Sequence, residues 1–295
     1  MFSAELLERA DAHSRTLKSW KQADLTAAAQ RALAYLPART RLRAKIYPVI
    51  KPKTNSFVFE LETDPAIFLY LDPELTPAQF ENTVAHELHH VGLSTACLPW
   101  FESAEFKQQP EEVRTVLEWV GAFGEGLAML AAAGGPDVHP HATSPAEDRA
   151  RWDRDVANFN ADLRKIEQSF LDVLNRRLKT EEEIRNVAFS FFGVQGPWYT
   201  VGWKMAVTIE QGLGRDELIA RLCNPAELLI AYNEAGARHN AATGESLALW
   251  SPELLSRLGA KTVNPAEPQV WFPCAEHKTA GCGLRPDDLR PPTTP

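Results

Sequence analysis

Cysteine is scarce in this chain, which has four cysteines in 295 residues. That number is too small for a disulfide framework at this length. Cys274 and Cys282 flank His277, but their spacing matches no familiar zinc pair. We therefore expect ordinary thiols, or one local disulfide between Cys274 and Cys282.

An excess of positive charge is also lacking. The chain carries 31 Lys and Arg against 39 Asp and Glu, which gives a net charge of −8. A chain of this composition offers no broad basic field that could release counterions from phosphates. The charge balance therefore argues against a nucleic-acid partner.

Recognisable membrane-spanning and export signals are lacking as well. We identify no apolar run that approaches the ~20 residues of a membrane span, so none is expected. Residues 1–5 turn acidic at once and lack the basic and apolar regions of a signal peptide. As written, the chain is expected in the cytoplasm. A secreted or periplasmic location is the alternative if a leader was removed.

What the chain does contain is an HExxH sequence, His86-Glu87-Leu88-His89-His90. Two histidines four residues apart on a helix share one face, so both imidazoles can reach one metal ion. Glu87 lies about 100° around the helix from His86, where it can hold a metal-bound water without being a ligand. His89 points about 100° away from His90, so we expect it to pack nearby or to support a ligand.

The surrounding residues predict the helix that this motif needs. Thr76, Pro77 and Gln79 form a capping box with proline in the first helical position. The alternative is a chance HExxH with two surface histidines, and the capped helix favours the metal site. Apolar residues at spacings of four, four and three predict a core-facing side opposite the metal-facing one: Phe80, Val84, Leu88 and Val91.

A catalytic zinc ion usually takes a third protein ligand and leaves one position for water. A third histidine of the type HExxHxxGxxH is excluded by Leu93 and Ala96. Glu125 is the favoured ligand, because small neighbours allow a close helix approach and apolar surroundings leave a lone carboxylate in need of a partner. Glu118, on nearly the same face, is the rival as a ligand or as a hydrogen-bond acceptor for a histidine. Further alternatives are Glu102, Glu105 and the His139/His141 loop.

These motifs together resemble the gluzincin branch of zinc metallopeptidases. More narrowly, HELHH followed 35 residues after His90 by Glu125-Gly126-Leu127-Ala128 is similar to bacterial families described as zinc-dependent peptidases. An aromatic-glycine segment at residues 196–206 is similar to one that those families carry. The resemblance spans roughly residues 40–235. It implies a Zn²⁺ cofactor, a peptide or protein substrate and a zincin-like fold, but the third-ligand helix lacks the form found in thermolysin-like enzymes.

Tyr199 is a candidate catalytic residue on chemical grounds. Zinc peptidases stabilise the oxyanion of the reaction with the metal and a phenol or imidazole donor. Tyr199 follows Gly196 and Pro197 at a predicted helix start, from which a side chain can project into a cleft. The alternative is a core aromatic residue beside Trp198 and Trp203.

The overall pattern predicts an α+β protein, with a small β-sheet packed on the metal-binding helix and a mostly α-helical lobe after it. Strands are predicted at about 42–50, 56–61 and 66–71. In the resembled families the corresponding strand is an edge strand, so the resemblance implies that the third strand, along residues 66–70, pairs with an extended peptide; an interior strand is the alternative. Residues 111–133 and 144–174 each indicate a long helix, the second opened by a capping box at Ser144. The predicted segments are N-terminal helices (1–37), the sheet with both ligand helices (38–133), a helical lobe (134–272) and an irregular proline-rich tail (273–295).

The favoured function is hydrolysis of a peptide bond by a zinc-bound water, with Glu87 as the general base. One alternative is a non-catalytic binding protein on the same scaffold. Another is a di-metal carboxylate protein, because Glu87 and His90 also form a Glu-x-x-His pair. That class needs a second such pair, which the sequence lacks. The substrate, the choice between endo- and exopeptidase and the oligomeric state stay open.

Overall fold

A computed structural model describes residues 9–50, 57–59 and 64–259. The described residues belong to one compact unit, Met1–Thr262. The predicted tail and the cysteine pair Cys274 and Cys282 lie outside the described residues. The division of the chain into four segments stays a prediction.

The N-terminal part contains two helices and then a three-stranded sheet, as the sequence predicted. The helix α2 begins at Leu25 behind the cap residue Asp24, whose side chain accepts a hydrogen bond from the Ala27 N–H. The elements are α1 (Ala10–Trp20), α2 (Leu25–Leu33), β1 (Lys45–Val49), β2 (Phe57–Phe59) and β3 (Ala66–Tyr70).

β3 is the central strand of this sheet. β1 pairs with it in parallel and β2 pairs with it antiparallel. Both sides of β3 are therefore hydrogen-bonded within the protein, and its interpretation as a substrate-binding edge strand is wrong. The interior position accords with its continuous apolar sequence: Ile67 and Leu69 are buried on one face, and Ala66 is buried on the other.

The helix α3 (Pro77–Phe101) carries the HExxH motif. Its capping box is confirmed: Thr76 accepts from the Gln79 N–H, and the Gln79 side chain accepts from the Thr76 N–H. The predicted apolar stripe is buried in a core that includes the sheet and α1. There the ring of Phe80 stacks on that of Trp20, with centroids 4.3 Å apart. This burial fixes which face of α3 carries the histidines.

The rest of the described chain is helical, with short connections between the helices. Most of these helices pack into a second core around α10, whose residues Trp198, Val201, Met205 and Ile209 are buried. The elements are α4 (Ala104–Lys107), α5 (Glu111–Val120), a 3₁₀ turn (Gly121–Phe123), α6 (Gly124–Ala133), α7 (Ala146–Ala157), α8 (Phe159–Leu174), α9 (Glu181–Ser190), α10 (Pro197–Leu213), α11 (Arg215–Arg221), α12 (Pro225–Thr243) and α13 (Pro252–Arg257).

Two helices predicted as continuous are interrupted. The 3₁₀ turn divides residues 111–133, where Gly121 and Gly124 lower the helix propensity. The second helix breaks at Asn158, a residue type whose side chain competes for backbone hydrogen bonds. The capping box predicted at Ser144 is wrong, because Pro145 is the N-cap and no side chain caps that helix.

The segment Glu111–Ala133 is long and apolar enough, by length and composition, to cross a membrane. The expectation that no run approaches this length is therefore wrong. In the fold, 67% of its most apolar window is buried inside the protein. The second core thus accounts for the apolar side chains of this segment.

A disulfide joins Cys97 and Cys223, which are 126 residues apart in sequence and 4.7 Å apart between Cα atoms. It ties the C-terminal half of α3 to the turn between α11 and α12. The expectation of ordinary thiols or one local bridge is wrong for this pair. The sequence offers no signal for it, because pairing of distant cysteines depends on the geometry of the fold.

Replacing both Cys97 and Cys223 with alanine should lower the free energy of unfolding by about 2–5 kcal/mol, because the bridge closes a long loop in the unfolded chain. Urea denaturation under oxidising conditions measures the difference. Reductant should bring the wild-type protein down to the stability of the double variant. A double variant as stable as the oxidised wild type would contradict the prediction.

Candidate metal centre

The side chains of His86, His90 and Glu125 converge on one point. Their ligand atoms all lie within 4.8 Å of one another. Glu125 Oε2 is 3.2 Å from His86 Nε2 and 3.1 Å from His90 Nε2, and the two Nε2 atoms are 3.1 Å apart. Within residues 9–50, 57–59 and 64–259, this is the one group of three His, Cys, Asp or Glu side chains with such spacing.

This donor set fits zinc. Tetrahedral ligands at about 2.0–2.1 Å from the metal are about 3.3 Å from one another, close to the separations observed here. Hydrogen bonding does not account for all three contacts. Each Nε2 carries one hydrogen at most, so two bonds to Glu125 leave none between His86 and His90. Two imidazoles and one carboxylate would hold the ion and leave a fourth position for water.

The electrostatics of the group keep Glu125 ionised. Burial by itself raises the pKa of this carboxyl, but the charge of His90 and hydrogen bonds from both histidines outweigh it, so the pKa lies well below its usual range. For His90, burial lowers the pKa, and the opposing effect of the Glu125 and Glu87 carboxylates leaves it raised. Glu125 is therefore present in the form that binds a metal.

The rival carboxylates lie elsewhere. Glu118 is exposed on α5 and outside the converging group, because the 3₁₀ turn separates its helix from that of Glu125. Glu102 and Glu105 are also exposed. The position of Glu125 in the first turn of α6, directly after the 3₁₀ turn, is what brings its side chain to the histidines.

The loop histidines interact with other partners. His139 Nε2 is 3.0 Å from Asp153 Oδ1, and His141 Nδ1 is 3.0 Å from Ser144 Oγ. Neither belongs to the converging group. These contacts connect the loop between α6 and α7 to α7, through Asp153, and to another residue of the loop, Ser144.

His89 lies on the buried side of α3. It is fully buried, and its Nε2 is 3.4 Å from the backbone oxygen of Tyr35. Burial lowers the pKa of His89 to about 3, with the charges of His90 and His86 adding to the effect. His89 is thus neutral and packed, in agreement with its direction on the helix.

Glycines determine how closely α6 approaches its neighbours. At Gly124, an added Cβ would lie 3.2 Å from Leu93 Cδ2 on α3. At Gly126, it would lie 2.0 Å from the amide nitrogen of Trp203 on α10. Gly124 therefore allows α6 to approach α3, whereas Gly126 allows it to approach α10. The prediction that small residues on both sides of Glu125 allow a close approach to the metal helix is confirmed for Gly124 only.

The contact between α6 and α10 is one of backbone against backbone. A Cβ at Gly202 would lie 2.6 Å from the carbonyl oxygen of Phe123. With Gly126 opposite, no side chain separates the two helices at this point. Their close approach brings Tyr199, three residues before Gly202, to the same cavity as Glu125.

Glu87 and Tyr199 both line this cavity, which has a volume of about 800 Å³. Glu87 is 7% exposed. The ring of Tyr199 lies nearly parallel to that of His86, with centroids 6.3 Å apart and planes at 11°. Burial raises the pKa of Tyr199, and the charge and hydrogen bond of Glu125 raise it further. Its hydroxyl therefore keeps its proton at neutral pH and can act as a donor.

Sequence reasoning missed the apolar part of the cavity wall. Phe189 and Phe192 come from the end of α9 and the loop after it, whereas Leu222 and Leu228 come from the α11–α12 region. Only the aromatic cluster at residues 189–192 stands out in the sequence. The other positions follow from tertiary packing alone.

The fold and the converging side chains define a protein with a candidate mononuclear metal centre on an HExxH helix. Residues 4–241 match the family model described as "Putative zinc dependent peptidase (DUF5700)", and the chain belongs to this family. No curated protein and no solved structure gave a match. The matched range covers the sheet, all three converging residues and Tyr199.

Substituting Gly126 with alanine should lower the free energy of unfolding by about 1–3 kcal/mol, because backbone atoms of α10 occupy the space of the new methyl group. Zinc retained after dialysis should fall as well, since α6 also positions Glu125. Urea denaturation and metal analysis measure the two effects.

The matched control is Gly121→Ala, because nothing lies within 4 Å of a Cβ at that position. It should leave the free energy of unfolding unchanged or raise it by up to about 1 kcal/mol, because Gly121 already has helical backbone angles that alanine adopts without strain. Equal effects of the two substitutions would show that the glycine contact does not hold the helices in place.

Proposed function

We propose that this protein is a zinc-dependent peptidase with a zincin-like, gluzincin-type metal centre. The proposal rests mainly on one observation: His86, His90 and Glu125 converge at a cavity that Glu87 and Tyr199 also line. The family description supports the metal and the reaction class.

Each of the five side chains has a role in this proposal. His86, His90 and Glu125 would hold the zinc ion, which when bound acidifies a water molecule and polarises the substrate carbonyl. Glu87 accepts a proton from the attacking water and passes it to the leaving amine. The hydroxyl group of Tyr199 donates a hydrogen bond to the carbonyl oxygen of the substrate, which gains negative charge during the reaction.

The burial of these groups supports the same chemistry. The side chains of His86, His90 and Glu125 are 14%, 18% and 19% exposed. Hydrogen bonds and charges act more strongly on a reacting group where water is largely excluded. The wall of the cavity therefore favours a reaction in which charge develops on the substrate.

The two alternative functions have less support. A di-metal centre would need Glu87 and a second cluster, but the part of the chain that the structure describes holds one such group, without Glu87. A non-catalytic binding protein would have no need of a carboxylate at position 87. Peptide turnover separates this last alternative from an enzyme.

The cellular location is also part of the proposal. Because cytosolic thiols are kept reduced, the Cys97–Cys223 disulfide supports a secreted or periplasmic protein over the cytoplasmic location expected from the first residues. Counting free thiols in protein taken from its native compartment decides between the two: reduced Cys97 and Cys223 would contradict an oxidising compartment.

The substitution Glu87→Gln should leave the zinc content unchanged and lower kcat/KM for peptide cleavage by about 10²–10⁴-fold, because an amide keeps the shape of the carboxylate but accepts no proton. A fluorogenic peptide library, assayed with and without chelator, measures the change. The control is Glu118→Gln, an exposed position outside the metal centre. Wild-type turnover by Glu87→Gln would rule out this mechanism.

The substitution Tyr199→Phe should lower kcat by about 10²-fold while zinc content and folding stay unchanged, because only the hydroxyl donor is lost. Steady-state kinetics on the best library peptide measures it. Tyr47→Phe, on an exposed side chain of β1, is the matched control. An unaltered kcat would assign Tyr199 to packing.

A further inference from the structure

The cavity extends well beyond the metal centre along one face of α3. Its lining residues on this helix run from His86 and His90 through Leu93 and Cys97 to Phe101, at spacings of three and four. At a rise of 1.5 Å per residue, this face is about 22 Å long. The proposed chemistry uses only the half near His86, which leaves the half beyond Leu93 without a role.

Beyond Leu93, the lining residues of α3 are mainly apolar, with Ser94 as the one hydroxyl side chain. Among the described residues that line the cavity there is no lysine or arginine, and the only carboxylates are Glu87 and Glu125 at the metal centre. A charged group of the substrate would lose its water there without finding a partner, which is unfavourable. We call the apolar part of the cavity wall the apolar subsite, and its side chains are Leu93, Leu98, Phe101, Phe189, Phe192 and Leu222.

Two aromatic side chains, Phe189 and Phe192, belong to this apolar subsite. Phe189 is 56% exposed although it lines the cavity, and its ring centroid is 5.6 Å from that of Phe192. The neighbouring Phe191 packs inward on Trp198, with ring centroids 5.5 Å apart. Burial of the exposed ring by an apolar ligand would be favourable.

The Cys97–Cys223 disulfide holds one part of the cavity wall in place. Cys97 lines the cavity on α3. Its partner Cys223 does not line the cavity, but Leu222 and Pro225, on either side of Cys223 in the sequence, both do. This wall is held to α3 by the disulfide. A preformed site of this kind loses less affinity to the ordering of its own chain.

We propose that the apolar subsite binds a large apolar side chain of the substrate, such as that of phenylalanine or leucine, next to the scissile bond. The position of the scissile bond rests on the proposed function, whereas the side-chain preference rests on the cavity alone. Substrates with a charged residue at this position are rejected.

The test compares Phe189→Lys with Val194→Lys in the full-length protein. Both side chains are exposed, at 56% and 71%, and lie on the same segment, but only Phe189 lines the cavity. Peptides blocked at both ends, with phenylalanine, leucine or glutamate beside the cleaved bond, are assayed for kcat/KM. Zinc content and the unfolding midpoint are measured on each variant to show that the fold is retained.

The wild type and Val194→Lys should cleave the phenylalanine and leucine peptides at least about tenfold better than the glutamate peptide. In Phe189→Lys this preference should fall by about tenfold, because the new ammonium group pairs with glutamate and would lose its hydration under an apolar side chain. A wild type without this preference, or equal preferences in the two lysine variants, would overturn the subsite and leave the proposed function standing.

If the wild type cleaves no peptide, the proposed function fails and binding decides the subsite. Calorimetry then compares blocked Ala-Phe-Leu and Ala-Glu-Lys peptides on the same three proteins. Binding of the apolar peptide at least about tenfold tighter, lost only in Phe189→Lys, would support the subsite. Equal affinities for the two peptides would overturn it.

Discussion

The candidate metal centre depends on the contact at which α6 and α10 touch through their backbones. Gly126 and Gly202 face each other there: a methyl group on Gly126 would overlap main-chain atoms of α10, and one on Gly202 would overlap the carbonyl oxygen of Phe123, just before α6. Since Glu125 precedes Gly126 and Tyr199 lies one turn before Gly202, this contact fixes both side chains. The third element, α3, is placed by the burial of its apolar stripe against the sheet and by its contact with α6 at Gly124. The site therefore lies where two separate cores meet.

This arrangement gives each half of the cavity a different character. Near α6, the carboxylate of Glu125 stays ionised despite its burial, because His86 and His90 face it. Further along α3 no group of that kind is present among the described lining residues, and the wall is apolar. A polar centre for chemistry beside an apolar region for recognition is the usual composition of a small-molecule or peptide site. The family description names a zinc-dependent peptidase and specifies no side-chain preference.

The features that sequence predicted well are those decided within one element. The capping box at Thr76, the buried stripe of α3 and the shared direction of His86 and His90 all follow from helix periodicity and local hydrogen bonds. Features that needed two distant elements were missed or misassigned. The interior position of β3 depends on pairing with β1 and β2, and the disulfide depends on how α3 meets the α11–α12 turn. Glu125 lies between these cases: its small neighbours marked it, but only the packing separates it from Glu118.

The most direct test of the metal centre is X-ray absorption at the zinc edge, on protein reconstituted with one zinc ion per chain. Ligation by His86, His90 and Glu125 predicts only nitrogen and oxygen donors at about 2.0–2.2 Å, with the outer-shell scattering of two imidazole rings. Sulfur donors at about 2.3 Å would contradict the account. They would move the zinc ion to the remaining cysteines, Cys274 and Cys282, and away from the HExxH helix.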